Sequence, residues 1–313
     1  MNSPETGPVV VGVDGTPGSA GALRYAVAEA ARRGASLRLV HVLPVTAPVW
    51  PGVPMSGVGD SELRDVATSI LEESVAAVRD LAPDLEVVTR LSAGSRSGAV
   101  VEASEDAQLV VVGRETQHGV DRILVGAVTA AVAAHAHCGV AVVPSFWSGD
   151  HPRARVVVAM KSRANAHAVL TEAFSQARRR GASLTIVTAW ELPDPYLDRI
   201  EVRTHSDDWE EEGRSVIEDV LTSWRREYPD VAVDVRVQHG RAAEVLLAAS
   251  RDSDLLVLSR RHRAIPPYGH LGGVAHAILR ASDVPVVVVP FTDAHDDPAE
   301  DVLVLEESGA PVK

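Results

Sequence analysis

The chain has 313 residues, of which 46% are hydrophobic and 23% charged, with a net charge of −13. That length suits two domains of ordinary size, and the negative charge argues against general binding to nucleic acid or to an anionic membrane, whose phosphates call for a basic face. A single cysteine, Cys138, rules out an intramolecular disulfide. With no basic–apolar leader pattern at the start and no apolar run long enough to span a bilayer, the expectation is a cytoplasmic protein.

Residues 9–13 (VVVGV) form a continuous β-branched run that predicts a strand buried on both faces of a parallel sheet. Asp14-Gly15-Thr16-Pro17 turns the chain into a helix with Leu23, Val27, Ala30 and Ala31 on one face, closed by Arg32-Arg33-Gly34. A second strand is expected over 37–43 and a Pro/Gly-rich loop over 44–59. Leu63, Val66, Ala67, Ile70, Leu71, Ser74, Val75 and Val78 then mark a long amphipathic helix limited by Pro83. A third strand is expected over 85–91, a short helix over 95–104, a fourth strand over 109–112, a helix from Gly126 to about His137, and a last strand over 140–143 that Pro144 ends. Such alternation predicts a parallel sheet with right-handed crossovers and helices on both faces.

After a linker at 145–153 the pattern repeats. Gly34 and Gly181 are offset by 147, while Gly94/Gly240, Gly126/Gly272 and Pro144/Pro290 are offset by 146. Duplication with one residue lost between the second and third strands accounts for both offsets. The second copy's strands are expected at 155–160, 183–189, 231–237, 254–258 and 285–289. The domain boundaries are read as 1–146 and 153–292, with an acidic tail over 293–313 that frays.

The segments VVVGVDGTPGS (9–19), LRLVHV (37–42) and VVVGRETQHGVDRILVGAVTAAV (110–132) resemble the universal stress protein family, and the resemblance extends over both repeats. It implies two tandem doubly wound α/β domains, Rossmann-like and similar to adenine-nucleotide alpha hydrolases, each a five-stranded parallel sheet of order 3-2-1-4-5. It also implies an adenine-nucleotide cleft. The family's loop runs Gly-x2-Gly-x9-Gly followed by Ser or Thr. Here Gly113 and Gly126 match the first and third glycines, Thr116 stands at the second, and Ala127 replaces the hydroxyl residue. The resemblance assigns the nucleotide to Asp14, Gly15, Val42, Gly113, Arg114, Thr116, Gly126, Ala127, Val128 and Thr129, with ATP as ligand, with or without magnesium. Asp14 would accept from ribose or the base edge, and first-turn N–H groups from Gly126 to Thr129 would face phosphate.

Two departures weaken that site. Thr116 costs ~1 kcal/mol or more where positive φ is needed. Ala127 forfeits a hydrogen bond worth ~0.5–1.5 kcal/mol, so affinity falls by ~10- to 100-fold. Arg114 would offset part of this against phosphate. In the second copy Lys161 stands at the position of Asp14, Ser259 and His262 replace the first two glycines, and Gly273 takes the hydroxyl position. No family-type nucleotide is expected there. The basic run Arg260–Arg263 is read first as a solvated loop, with a different anion or an acidic partner segment as the alternative.

His135, His137 and Cys138 lack a fourth ligand at tetrahedral spacing, and no metal is expected. No paired carboxylates, Ser/His/Asp or Cys/His spacing stands out, so the reading is of a binding module, and a slow ATPase or phosphotransferase is the least expected alternative. A phosphorylated receiver domain is set aside because neither copy has both the acidic pair and the lysine it requires. The resemblance further implies pairing through the last edge strand, here within one chain as a pseudo-dimer, with a homodimer also open, and protein partners that the sequence does not identify. The runner-up reading is a tandem scaffold that binds no nucleotide.

Overall fold

The computed structural model describes residues 7–43, 60–114, 126–149, 153–161, 166–260 and 271–290. The loop expected at 44–59, Thr116, His262 and the acidic tail lie outside the described residues. The chain divides into two compact units, Met1–Asp150 and His151–Lys313.

The first unit opens with β1 (Val9–Gly12), whose three valines are fully buried. Burial on both faces is what an uninterrupted valine run requires. Helix α1 (Pro17–Arg33) starts with proline in its first turn and ends at Gly34, whose φ of 61° closes the helix onto the carbonyls of Ala30 and Ala31. Its Glu29 is fully buried and accepts from Arg32 at 2.8 Å and Arg33 at 3.5 Å. There follow β2 (Leu37–Leu43), α2 (Asp60–Leu81), β3 (Val87–Ala93), α3 (Arg96–Glu102), β4 (Leu109–Arg114), α4 (Ala127–His135) and β5 (Gly139–Pro144). β2 pairs with β1 and β3, and β4 pairs with β1 and β5, all parallel. The order is therefore β3-β2-β1-β4-β5. Helices α1 and α2 pack together, as do α3 and α4. Right-handed crossovers in this order put the first pair on one face and the second on the other. The switch point between β1 and β4 follows directly.

Several elements differ from expectation, three of them near the site or at the sheet edge. β3 begins at Val87 instead of 85, because Pro83-Asp84 forms a turn in which the Leu85 amide donates to Ala82 O at 3.1 Å. β4 continues through Gly113 and Arg114, which pair with Val143 and Pro144. α4 stops at His135, two residues short of the expected end. Away from the switch point, Arg38 donates twice to Asp106 at 2.7 and 2.9 Å. Those hydrogen bonds, with the guanidinium charge, hold the Asp106 carboxyl below the usual carboxylate range against its partial burial.

The second unit repeats the plan with β6 (Arg155–Ala159), α5 (Ala166–Arg180), β7 (Ser183–Trp190), α6 (Pro195–Thr204), α7 (Ser206–Glu227), β8 (Val233–His239), α8 (Ala242–Ser250), β9 (Leu255–Ser259), α9 (Gly273–Ala281) and β10 (Val286–Val289). Its parallel pairings give the order β8-β7-β6-β9-β10, the same 3-2-1-4-5 within the repeat. Helices α6 and α7 occupy a stretch the sequence reading left blank. Asp194 caps α6 by accepting from the amides of Tyr196 and Leu197. α7 buries Ile217, Leu221 and Trp224 along one face, with Trp224 stacked on Phe174 at 5.5 Å. No helix among the described residues is long and apolar enough to cross a membrane.

Candidate functional site

At the switch point of the first unit, backbone register decides what meets what. Val11 pairs with Val111, so Val13 is level with Gly113, and Asp14 follows at the carboxyl end of β1. His41 on β2 donates Nδ1–H to Val13 O at 2.7 Å, and the Val13 amide donates to Val40 O, which fixes the peptide just before Asp14. Asp14 is exposed. Its Oδ1 accepts from the Thr16 amide at 3.0 Å and the Thr16 hydroxyl at 2.7 Å. This is a local Asx turn. It does not cap α1, whose N-cap Thr16 makes no side-chain cap bond. Gly15 has φ of 75°, and a Cβ there would lie 3.0 Å from Ile70 of α2. Its identity is set by backbone conformation and by that neighbour.

The glycines expected to flank phosphate separate into two kinds. Gly113 is a strand residue, and a Cβ on it would stand 2.7 Å from Gly18 O in the first turn of α1. Close packing of α1 on β4 is sufficient reason for this glycine. Gly126, the N-cap of α4, has φ of −56° and ψ of 145°, open to any L-residue. Among the described residues, a Cβ on it would meet only Thr129 Oγ1, at 3.8 Å. Nothing in the fold of the described residues requires glycine there. The first-turn N–H groups at Ala127, Val128 and Thr129 have no intrahelical acceptor by the geometry of a helix start.

The remaining positions fall around this start. Ala127 is exposed and Val128 half-buried. Thr129 is buried, and its hydroxyl donates to Gly113 O at 3.1 Å, tying α4 to β4. A threonine hydroxyl has one proton, so Thr129 positions the helix start and has no further proton for an anion. Val42 is buried near the carboxyl end of β2. Arg114 is only 2% exposed, so its side chain does not extend into solvent. Thus β1, β2, β4 and α4 bring Asp14, Val42, Gly113, Gly126 and Thr129 to one end of the sheet. Thr116 lies outside the described residues.

In the second unit the same end of the sheet contains a cavity of about 280 Å³. It is lined by the ends of β6, β7 and β9, by α8 and by the start of α9, with Lys161 and Arg260 among the lining residues. Lys161, Gly272 and Gly273 are the lining residues that the repeat makes visible in the sequence, whereas Ala242 and Leu246 of α8 carry no motif. Carrying the 146-residue offset from α3 to α8 would have found them. Among the described residues no group of three or more His, Cys, Asp and Glu side chains is arranged to hold a metal ion.

This is a duplicated, doubly wound α/β architecture in which each repeat brings its helix start to the switch point of its own sheet. The profile of the universal stress protein family matches residues 5–144 and again 152–290. The chain belongs to that family. A universal stress protein of Mycobacterium tuberculosis strain H37Rv is 32% identical over 295 residues, covering 90% of this chain and 96% of the relative. One from Mycolicibacterium smegmatis is 27% identical over 288 residues, covering 90% and 96%. The crystal structure of a universal stress protein from Archaeoglobus fulgidus shares the fold with a TM-score of 0.68 at 19% identity, covering 93% of this chain and all of that one.

Proposed function

We propose that the first unit binds an adenine nucleotide, ATP, at the carboxyl ends of β1 and β4, and that occupancy alters the surface offered to a protein partner. The observation that carries this reading is Gly126: a helix start without a side chain, in a backbone conformation that does not need glycine. A phosphate group fits there, against first-turn N–H groups and the positive end of the helix dipole. Asp14, one of whose oxygens is engaged by Thr16, would use the other toward ribose or the base edge. Val42 and Val13 supply apolar surface beside the base.

The site departs from the family's pattern at Ala127, and the proton of Thr129 is committed to Gly113. These features favour modest, exchangeable binding, and they support the second reading, a scaffold without nucleotide. The proposal assigns no catalytic residue. It places the protein in the cytoplasm, which cell fractionation tests.

The experiment is calorimetric titration with ATP, with and without magnesium, of the wild-type chain and of Asp14→Ala and Gly126→Val. Binding in the wild type and its loss in both variants supports the assignment. Equal affinity in all three refutes the site. No binding at millimolar ATP selects the scaffold reading.

A further inference from the structure

The cavity of the second unit matches the first unit's site in topology and differs from it in chemistry. Its walls are apolar, made by Ala159, Val187, Ala189, Leu246 and Ile278. Among the described residues, the charged ones lining it are Lys161 and Arg260, and none is acidic. Lys161 is exposed, at the position where the first unit has Asp14. A carboxylate suited to ribose hydroxyls or a base edge is thus replaced by a hydrogen-bond donor of opposite charge. The volume of about 280 Å³ lies just under the ~300 Å³ at which small-molecule pockets usually begin, so the occupant is compact.

We infer that this cavity binds a compact organic anion, its apolar body between β7 and α9 and its carboxylate or phosphate head against Lys161 and Arg260, and that it does not select adenine nucleotides. The inference rests on the lining of the second unit alone and stands or falls independently of ATP binding in the first. Charge complementarity sets the head group: two cations near one mouth attract an anion and disfavour the neutral or cationic ligand of the same shape. The apolar walls set the body, since they offer contact area and few hydrogen-bonding side chains.

The test uses the full chain, titrated with octanoate, phenyl phosphate, inorganic phosphate and AMP, with ligand-observed NMR and calorimetry as readouts. Octanoate or phenyl phosphate is expected to saturate a single site, and the tighter of the two identifies the head group. Inorganic phosphate, lacking the body, should bind at least about tenfold more weakly. Lys161→Glu should weaken the preferred ligand by about tenfold or more, and Lys161→Arg should stay within about threefold. Gly273→Leu puts a bulky group on the cavity wall at a position where a Cβ meets none of the described residues within 4 Å, and should weaken binding without unfolding the unit. Gly126→Val in the first unit should leave this binding unchanged. The inference is overturned if neither organic anion binds at millimolar concentration, if Lys161→Glu and Gly273→Leu bind as the wild type does, if inorganic phosphate equals phenyl phosphate, or if AMP binds more tightly than both with the same dependence on Lys161.

Discussion

Replacing Gly113 and Gly126 by alanine, one at a time, separates packing from ligand binding. In Gly113→Ala the new Cβ would stand 2.7 Å from Gly18 O and 3.4 Å from Gly18 C, both backbone atoms of α1. No rotamer change can relieve a clash with backbone. β4 cannot give way easily, because it is paired on both sides by β1 and β5. The start of α1 must therefore retreat by about half an ångström or more to restore ordinary contact. Overpacking of this kind costs about 1–3 kcal/mol, which for a unit of this size lowers its melting temperature by roughly 2–12 °C. In Gly126→Ala the nearest atom to the Cβ is Thr129 Oγ1 at 3.8 Å. The backbone dihedrals suit alanine, and losing a glycine N-cap costs about 1 kcal/mol at most. Its effect should fall instead on ATP affinity. Urea unfolding and ATP titration of both variants check this. If Gly113→Ala unfolds within 0.3 kcal/mol of wild type while Gly126→Ala loses several, the division of roles is wrong.

Other expectations follow from single contacts. Glu29 is fully buried and accepts from both Arg32 and Arg33, so Glu29→Ala, which removes both charge-assisted hydrogen bonds, should cost about 1.5–3 kcal/mol. Arg32→Ala, at the more exposed partner, should cost under ~1 kcal/mol; urea unfolding measures both. Thr129→Val keeps the shape but removes the bond to Gly113 O, and should lower stability by about 1 kcal/mol, which Thr129→Ser should restore. Burial pushes the Asp198 carboxyl up, but hydrogen bonds from the Leu192 amide and His239 outweigh it and bring the group below its ordinary value. A depressed carboxyl contributes stability that is present above its unfolded value, ~3.9, and lost as pH falls through the folded value. Asp198→Asn should flatten the acid limb of unfolding followed by tryptophan emission, since Trp190 lies 4.6 Å from His239 and stacks on Trp209. An unchanged acid limb would contradict that linkage.

The sheet was legible because its central strands are buried on both faces and so carry uninterrupted valine runs, as in β1 and β10. The boundary of β3 was not, because this edge strand exposes Val88 and Leu91 and mixes polar with apolar residues. α6 was missed for a related reason: it buries no residue and is specified by its Asp194-Pro195 start. The family resemblance singled out Asp14 and Gly126, and the offset of the repeats carried the position of Asp14 onto Lys161. The role of Gly113 was not, since the atom that demands glycine belongs to Gly18, far along the chain. The same holds for Thr129, whose hydroxyl reads as a ligand group until its partner on β4 is seen.

The most direct test of the central claim is calorimetric titration of the full chain with ATP, wild type beside Gly126→Val. Saturable binding near one nucleotide per chain, lost in the variant while its urea unfolding shows a folded protein destabilised by no more than about 1–2 kcal/mol, is the predicted result. Equal heats in the two proteins would contradict a nucleotide seated at the start of α4.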